Sequence, residues 1–249
     1  MGNSKIVKGG RAFFGEAIGI LMLDMKAPLI PGNVGNASSY KFPVRYKVLA
    51  GIPSDWWCDA EGASLNRQAR FIETAKELEQ EGVRAITTGC GFFAKYQKAA
   101  AEALRVPIFC SPLLLVPMVS RMIGKNKQVG IITAGANHLK GEFLKNVGID
   151  DSIPIAIDGL DDKEEFTKVH VTQEKDTIDA AKMEAEVIDV ARRLVQKHPD
   201  VGAVVFECSD LPPFAAATQE AVGLPIFDFI TLANMIYQAV VQRRYVGFM

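Results

Sequence analysis

Short apolar runs alternate with amphipathic stretches along the whole chain. Runs at 17–23, 44–50, 85–88 and 107–110 have the length and composition of buried strands. Between them, 66–80 places Ala69, Ile72, Ala75 and Leu78 at helical spacing, with Gly82 as terminator. The pattern predicts a further helix over 93–104 and a buried connecting helix over 113–123. The second half restarts with a strand at 128–133, whose Val129-Gly130-Ile131-Ile132 echoes Ile18-Gly19-Ile20-Leu21. A helix near 138–146, a strand at 153–157 and a long helix over 177–197 come next. The long helix carries apolar residues at Ile178, Ala181, Ala185, Ile188, Ala191 and Leu194. A strand at 203–206, a helix at 213–221, a strand at 225–227 and a closing helix at 232–242 complete the series. Strands alternating with helices imply βαβ units and parallel sheets. The expected fold class is therefore α/β, with two pseudo-symmetric lobes of parallel sheet flanked by helices and the active site in the cleft between them. The lobes are expected at 1–112 and 113–228, with the closing segment 229–249 able to return to the first.

Two stretches break the alternation. Residues 26–41 are dense in Pro, Gly, Asn and Ser, which marks a long loop of the kind that often carries function. In that loop Asn33, Asn36, Ser38, Ser39 and Tyr40 are polar candidates to cover a cleft, although Asn and Gly also serve turn geometry alone. Residues 158–175 are charged and polar and read as a solvated surface segment.

The two halves also match residue by residue. Val83–Phe109 and Val201–Phe227, offset by 118 positions, are identical without a gap at Val83/Val201, Ala85/Ala203, Cys90/Cys208, Ala99/Ala217, Glu102/Glu220, Ala103/Ala221, Pro107/Pro225, Ile108/Ile226 and Phe109/Phe227. Those are 9 of 27 positions, where the usage of common residues gives roughly two by chance. Each Cys falls at a step from strand to helix, where ligands of parallel sheets bind. The N–H groups of the next helix can hold an anion or stabilise a thiolate.

Composition narrows the chemistry. A net charge of -1 gives no electrostatic footprint for nucleic acid or an anionic membrane. No apolar run reaches the roughly 18 residues of a membrane span, and Asp24 and Lys26 interrupt the first apolar run with no signal cleavage pattern after it, so a cytoplasmic protein is expected. The opening residues lack the hydroxyl at position six that myristoylation requires. Four cysteines (Cys58, Cys90, Cys110, Cys208) without Cys-x-x-Cys spacing, and three scattered histidines, imply neither a disulfide scaffold nor a metal. Cys110 reads as core, and Cys58, beside Trp56 and Trp57, as packing or cleft lining. Arg45, Lys95 and Arg105 are left as solvated cations.

Two thiols facing one carbon acid suit stereoinversion: one thiolate removes the proton and the other thiol returns it from the opposite face. A thiol pKa near 8.5 needs lowering for that task.

Segments Ile18-Gly19-Ile20-Leu21, 31–40, Thr87-Thr88-Gly89-Cys90-Gly91, Ile131-Ile132-Thr133-Ala134 and Phe206-Glu207-Cys208-Ser209-Asp210-Leu211-Pro212 resemble the aspartate/glutamate/hydantoin racemase superfamily, and the resemblance covers nearly the whole chain. It implies two pseudo-symmetric lobes, no cofactor, and Cys90 and Cys208 as the acid/base pair. Thr88, Gly91, Thr133 and Ser209 would bind a carboxylate or carbonyl. Asp210 would meet a substrate amine or cap the next helix, and Asn36 would cover the site. The chain departs from the amino-acid racemases of that superfamily in three places. Gly91-Phe92 stands where Asn-Thr comes after the first cysteine, Ser209 where Thr comes after the second, and Glu207 where a small residue is common.

The expected function is a cofactor-independent racemase or epimerase of an amino acid or related carboxylate or amide-type carbon acid. Cis–trans isomerisation of an unsaturated diacid through a Cys adduct, and non-catalytic binding of a small acid, are the alternatives. A decarboxylase fits less well, since that branch uses one such cysteine. The expected partner is a small carboxylate substrate, with no nucleic acid and no membrane. An exposed apolar face on 113–123 would make the protein a homo-oligomer.

Overall fold

The computed structural model describes residues 9–58 and 64–249, with the side chains of Cys58, Ser64 and Leu65 outside the description. The opening residues 1–8, including the myristoylation position, also lie outside it. Two four-stranded parallel sheets form the frame. The first has the order β2-β1-β3-β4, from β1 (Ile18–Leu23), β2 (Val44–Leu49), β3 (Ala85–Thr88) and β4 (Ile108–Phe109). The second repeats it as β6-β5-β7-β8, from β5 (Gln128–Thr133), β6 (Ile155–Gly159), β7 (Val201–Phe206) and β8 (Ile226–Phe227).

Strands β1 and β3 at the centre of the first sheet are buried throughout, as their unbroken apolar sequences require of a sheet covered on both faces. β2 is an edge strand, and its polar positions Arg45 and Lys47 reach Glu81 at 2.8 and 2.7 Å on helix α1 (Ser64–Glu81). In the second lobe, helix α6 (Ala180–Lys197) covers the sheet with Met183, Val187, Val190, Ala191 and Leu194, one stripe at helical spacing. Asp179 caps its first turn by accepting from the Lys182 backbone N–H at 3.1 Å. Each large side chain in that stripe contributes about 1.5–3 kcal/mol through burial. Gly19 of β1 and Gly130 of β5 occupy matching places: a Cβ there would meet Leu78 of α1 at 3.0 Å or Leu194 of α6 at 2.9 Å. The duplicated strand motif is thus a duplicated helix-on-sheet contact.

The shorter helices are α2 (Gln97–Ala103), α3 (Val116–Met122), α4 (Glu142–Lys145), α5 (Glu164–Phe166), α7 (Ala215–Val222) and α8 (Phe229–Val240). The helix expected near 138–146 shrinks to the four residues of α4, because Gly141 at φ 58 starts it and Gly148 at φ 79 stands just past its end. Helix α8 lies against the first sheet, and Tyr237 stacks on Phe42 at 3.8 Å. Helix α3 leaves Met118 and Met122 exposed. Among the described residues, no helix is long and apolar enough to cross a membrane.

The 158–175 stretch is not simply a solvated segment. It folds as α5 and a π-helical turn, Thr167–Val171, that bury Glu165, Phe166, Val169 and His170. Its charges are satisfied locally, with Lys175 on Glu165 at 2.6 Å and Arg193 forked onto Asp158. That leaves one apolar face free to turn inward.

Candidate active site

The ends of β3 and β7 deliver Cys90 and Cys208 to one cavity between the lobes. The matching continues past the strands: Gly89 N–H donates to Leu21 of β1 at 2.8 Å, and Glu207 N–H to Ile132 of β5 at 2.9 Å. Each sulfur also receives a backbone N–H from two residues on, Phe92 for Cys90 and Asp210 for Cys208. Ser209 Oγ donates to the Gly89 carbonyl at 2.7 Å and so ties the two cysteine turns together.

The cavity measures about 30 Å³, on a scale where one water needs roughly 10–15 Å³. Trp57, Phe92 and Phe166 supply aromatic walls, with Trp57 stacked on Phe92 at 4.4 Å. His170, Glu207 and Asp210 supply polar ones. The π-helical turn forms part of the roof, an irregularity frequent at functional sites. Gln173, a non-glycine residue at φ 53, latches this roof: it donates to Ser54 Oγ at 2.7 Å and accepts from the Lys26 N–H at 2.9 Å, while Ser54 donates to the Val171 carbonyl.

Asp210 is buried beside the thiols and holds contacts across the lobes. Its Oδ1 accepts from Asn33 Nδ2 at 2.7 Å, so one of the five loop candidates arrives at the site. Its Oδ2 accepts the Cys208 thiol at 3.6 Å, and His170 Nδ1 stands 3.5 Å away without a hydrogen-bond partner among the described residues. Glu207 lies on the Cys90 side and is fully buried; Thr133 Oγ donates to its Oε2 at 2.7 Å, while Oε1 has no partner among the described residues. Gly91 makes this placement fit, since a Cβ there would lie 2.0 Å from the Glu207 carbonyl oxygen and 2.3 Å from Oε1.

Electrostatically the site is acid-rich and buried. Burial raises the Glu207 carboxyl from 4.5 to about 8, and Asp210 adds to the rise against the opposing Thr133 hydrogen bond. Both cysteines are held as thiols. Burial pushes Cys90 far up, Glu207 adds repulsion, and the Phe92 N–H and the Trp56 indole only partly oppose them. Cys208 is raised in the same way by burial, then by Asp210 and Glu207. The expected lowering by helix N–H groups is present for each sulfur and is overcome by desolvation.

Of the residues singled out from sequence, the cavity gathers Cys90, Gly91, Cys208, Ser209 and Asp210. Thr133 stands behind Glu207, and Thr88 is occupied by the carbonyls of Cys110 and Cys90 at 2.7 and 3.0 Å. Asn36 serves its own turn: it accepts from the Ser38 N–H and donates to the Leu29 carbonyl, so it does not reach the cavity. Cys110 is buried, and the Cys58 side chain lies outside the described residues. Trp57, Phe166 and His170 were not singled out from sequence. The signal for the last two was the inward spacing Phe166, Val169, His170 inside a charged stretch.

With this architecture the chain superposes on unliganded arylmalonate decarboxylase with a TM-score of 0.58, 14% identity, and coverage of 90% of this chain and 92% of that one. Glutamate racemase RacE1 of Bacillus anthracis gives 0.59 at 16% identity, covering 92% and 85%. Allantoin racemase of Pseudomonas fluorescens gives 0.55 at 12%, covering 92% and 100%. The fold is the one shared by these racemases and this decarboxylase. No family model matches the chain. A dimethylsulfoniopropionate lyase of Durusdinium sp. clade D is 30% identical over 232 residues, covering 91% of this chain and 76% of that protein. Dimethylsulfoniopropionate lyases 7 and 3 of Emiliania huxleyi are 29% and 30% identical, and the chain spans 68% and 58% of their lengths. The chain belongs to this lyase family, and it is an enzyme.

This overturns the racemase or epimerase expectation, together with its isomerase and sensor alternatives. The racemases share the fold at 12–16% identity, whereas the relatives at about 30% over nine-tenths of the chain are lyases. Two thiols across a cleft record common architecture; they do not by themselves decide the fate of a substrate once its proton is gone.

Proposed function

We propose that the protein cleaves dimethylsulfoniopropionate by β-elimination. The observation that carries this reading, beside the relatives, is the wall chemistry of the cavity: the aromatic side chains of Trp57, Phe92 and Phe166 together with the acid Asp210. A sulfonium is a soft cation, and aromatic faces with a nearby carboxylate favour such cations.

Cys208 is the base in this proposal. Its thiol already points a proton at Asp210 Oδ2, 3.6 Å away, and Asn33 holds that carboxylate in place. The resting thiol is held protonated, so the positive charge of the bound sulfonium is what permits the proton to pass to Asp210. The thiolate then takes the proton on the carbon next to the carboxylate. The C–H electron pair becomes the C=C bond, and the C–S bond breaks with its electrons on sulfur. Neutral dimethyl sulfide and acrylate leave, with one proton released overall. A sulfonium leaving group needs no acid, so the second thiol, Cys90, has no obligatory proton to give.

Headspace detection of dimethyl sulfide, with acrylate measured in parallel, tests the reading. Cys208→Ala should lose about 10²–10⁴-fold in turnover, and Cys90→Ala much less. Absence of dimethyl sulfide from the wild-type protein would sink the lyase reading, and retention of full turnover by Cys208→Ala would sink the assignment of the base.

A further inference from the structure

Glu207 plays no part in the step above, yet it is completely buried, one of its oxygens has no partner among the described residues, and it stands where a side chain at position 91 would stand beside Cys90. The two departures from the racemase pattern therefore form one device: Gly91 removes a side chain from the first cysteine turn, and Glu207, just past the end of β7, fills the vacated space with a carboxyl from the opposite lobe. Thr133 donates to Oε2, which leaves Oε1 to carry the acid proton. We propose that Glu207 is a further catalytic residue, a neutral carboxylic acid whose Oε1–H donates a hydrogen bond to the substrate carboxylate as that group takes up charge from the departing α-proton.

Charge points in the same direction. Removing the α-proton sends electron density into the carboxylate, which a neighbouring carboxylate would oppose and a neighbouring O–H supports. An apolar site keeps a carboxyl neutral near pH 7, and a like charge nearby adds to the effect. Burial and Asp210 supply both, raising Glu207 to about 8. The titratable groups facing it are Asp210 and Cys208 from its own turn and Cys90 from the first cysteine turn; Thr133 faces it from β5 without titrating, and His170 from the π-helical roof faces Asp210.

The proposal rests on the lyase reading for its reaction but also predicts carboxylate binding by itself. Glu207→Gln retains the shape and an N–H donor, so its turnover should stay within about tenfold of wild type. Glu207→Ala should fall about 10²–10³-fold, the usual loss for one such donor. The ratio of wild-type to Glu207→Gln kcat/KM should be constant at low pH and fall tenfold per unit above about 8, as Glu207 ionises. This ratio cancels the titration of groups that do not couple to Glu207. Thr133→Val removes the bond that lowers the Glu207 pKa and should move the bend to higher pH. Binding of acrylate, followed by tryptophan fluorescence because Trp57 lines the cavity, should weaken above about pH 8 in wild type and not in Glu207→Gln.

A pH-independent ratio with equal acrylate binding in both proteins would overturn the proposal. A ratio that rises with pH would overturn it too, because the ionised form would then be the working one. If wild type releases no dimethyl sulfide but its acrylate binding keeps the Glu207-dependent fall, the lyase reading fails and the carboxylate contact stands.

Discussion

The Glu207 carboxyl should make this protein progressively less stable from weakly acidic to weakly alkaline pH, and Glu207→Gln should abolish that component. Its ordinary pKa of 4.5 rises to about 8 in the folded chain, chiefly through burial. Below about pH 4.5 the carboxyl is neutral in both folded and unfolded states and costs nothing. Between 4.5 and 8 the unfolded chain releases a proton that the folded chain keeps, so stability falls by about 1.4 kcal/mol per pH unit. Above about 8 both states are ionised and the loss is complete. The interval of about 3.5 units gives a total on the order of 5 kcal/mol, a large share of the roughly 5–15 kcal/mol that holds a typical domain. Urea unfolding of wild type and Glu207→Gln at pH 5, 6, 7, 8 and 9 measures this directly, because the difference between the proteins cancels the titration of groups that do not couple to Glu207. The stability advantage of the Gln variant should grow steadily to about pH 8 and then level. A difference that stays constant within about 1 kcal/mol from pH 5 to 8 would show that Glu207 ionises normally, and the idea of a buried, acid-rich site would be refuted.

Two other perturbations separate the roles of the cavity walls. Asp210→Asn keeps the contact to Asn33 but removes the acceptor for the Cys208 proton, and should lower kcat about 10²–10⁴-fold with a smaller effect on KM in dimethyl sulfide release. Trp57→Leu removes one aromatic face and should raise KM for dimethylsulfoniopropionate about 2- to 30-fold, matching the 0.5–2 kcal/mol of a cation–π contact, while leaving acrylate affinity nearly unchanged; equal losses for both ligands would place Trp57 away from the sulfonium.

Much of the frame was legible in the chain. The apolar runs of 17–23 and 128–133 are fully or nearly fully buried because a central parallel strand is covered on both faces. The repeat placed Cys90 and Cys208 at equivalent turns, and the structure keeps even their hydrogen bonds equivalent. The 158–175 stretch misled because its charges pair among themselves at the surface, which hides an inward face only two turns long. The reaction misled for a different reason. Thiols on two sides of a cleft describe how a proton is removed, and racemisation and elimination part company only afterwards, at the substituent on the next carbon.

Alternation, helical spacing and the duplicated cysteine turns are properties of neighbours in sequence, so the chain alone determined the strand series, the two lobes and the pair of thiols. Contacts between residues far apart decided the rest. Asn33 reaches Asp210 across 177 positions, Ser209 reaches Gly89 across 120, and Thr133 reaches Glu207 across 74. Only the packing of one lobe on the other brings a Glu from the end of β7 into the space left by a Gly beside Cys90, and that burial, with the acids beside it, raises the carboxyl and both thiols.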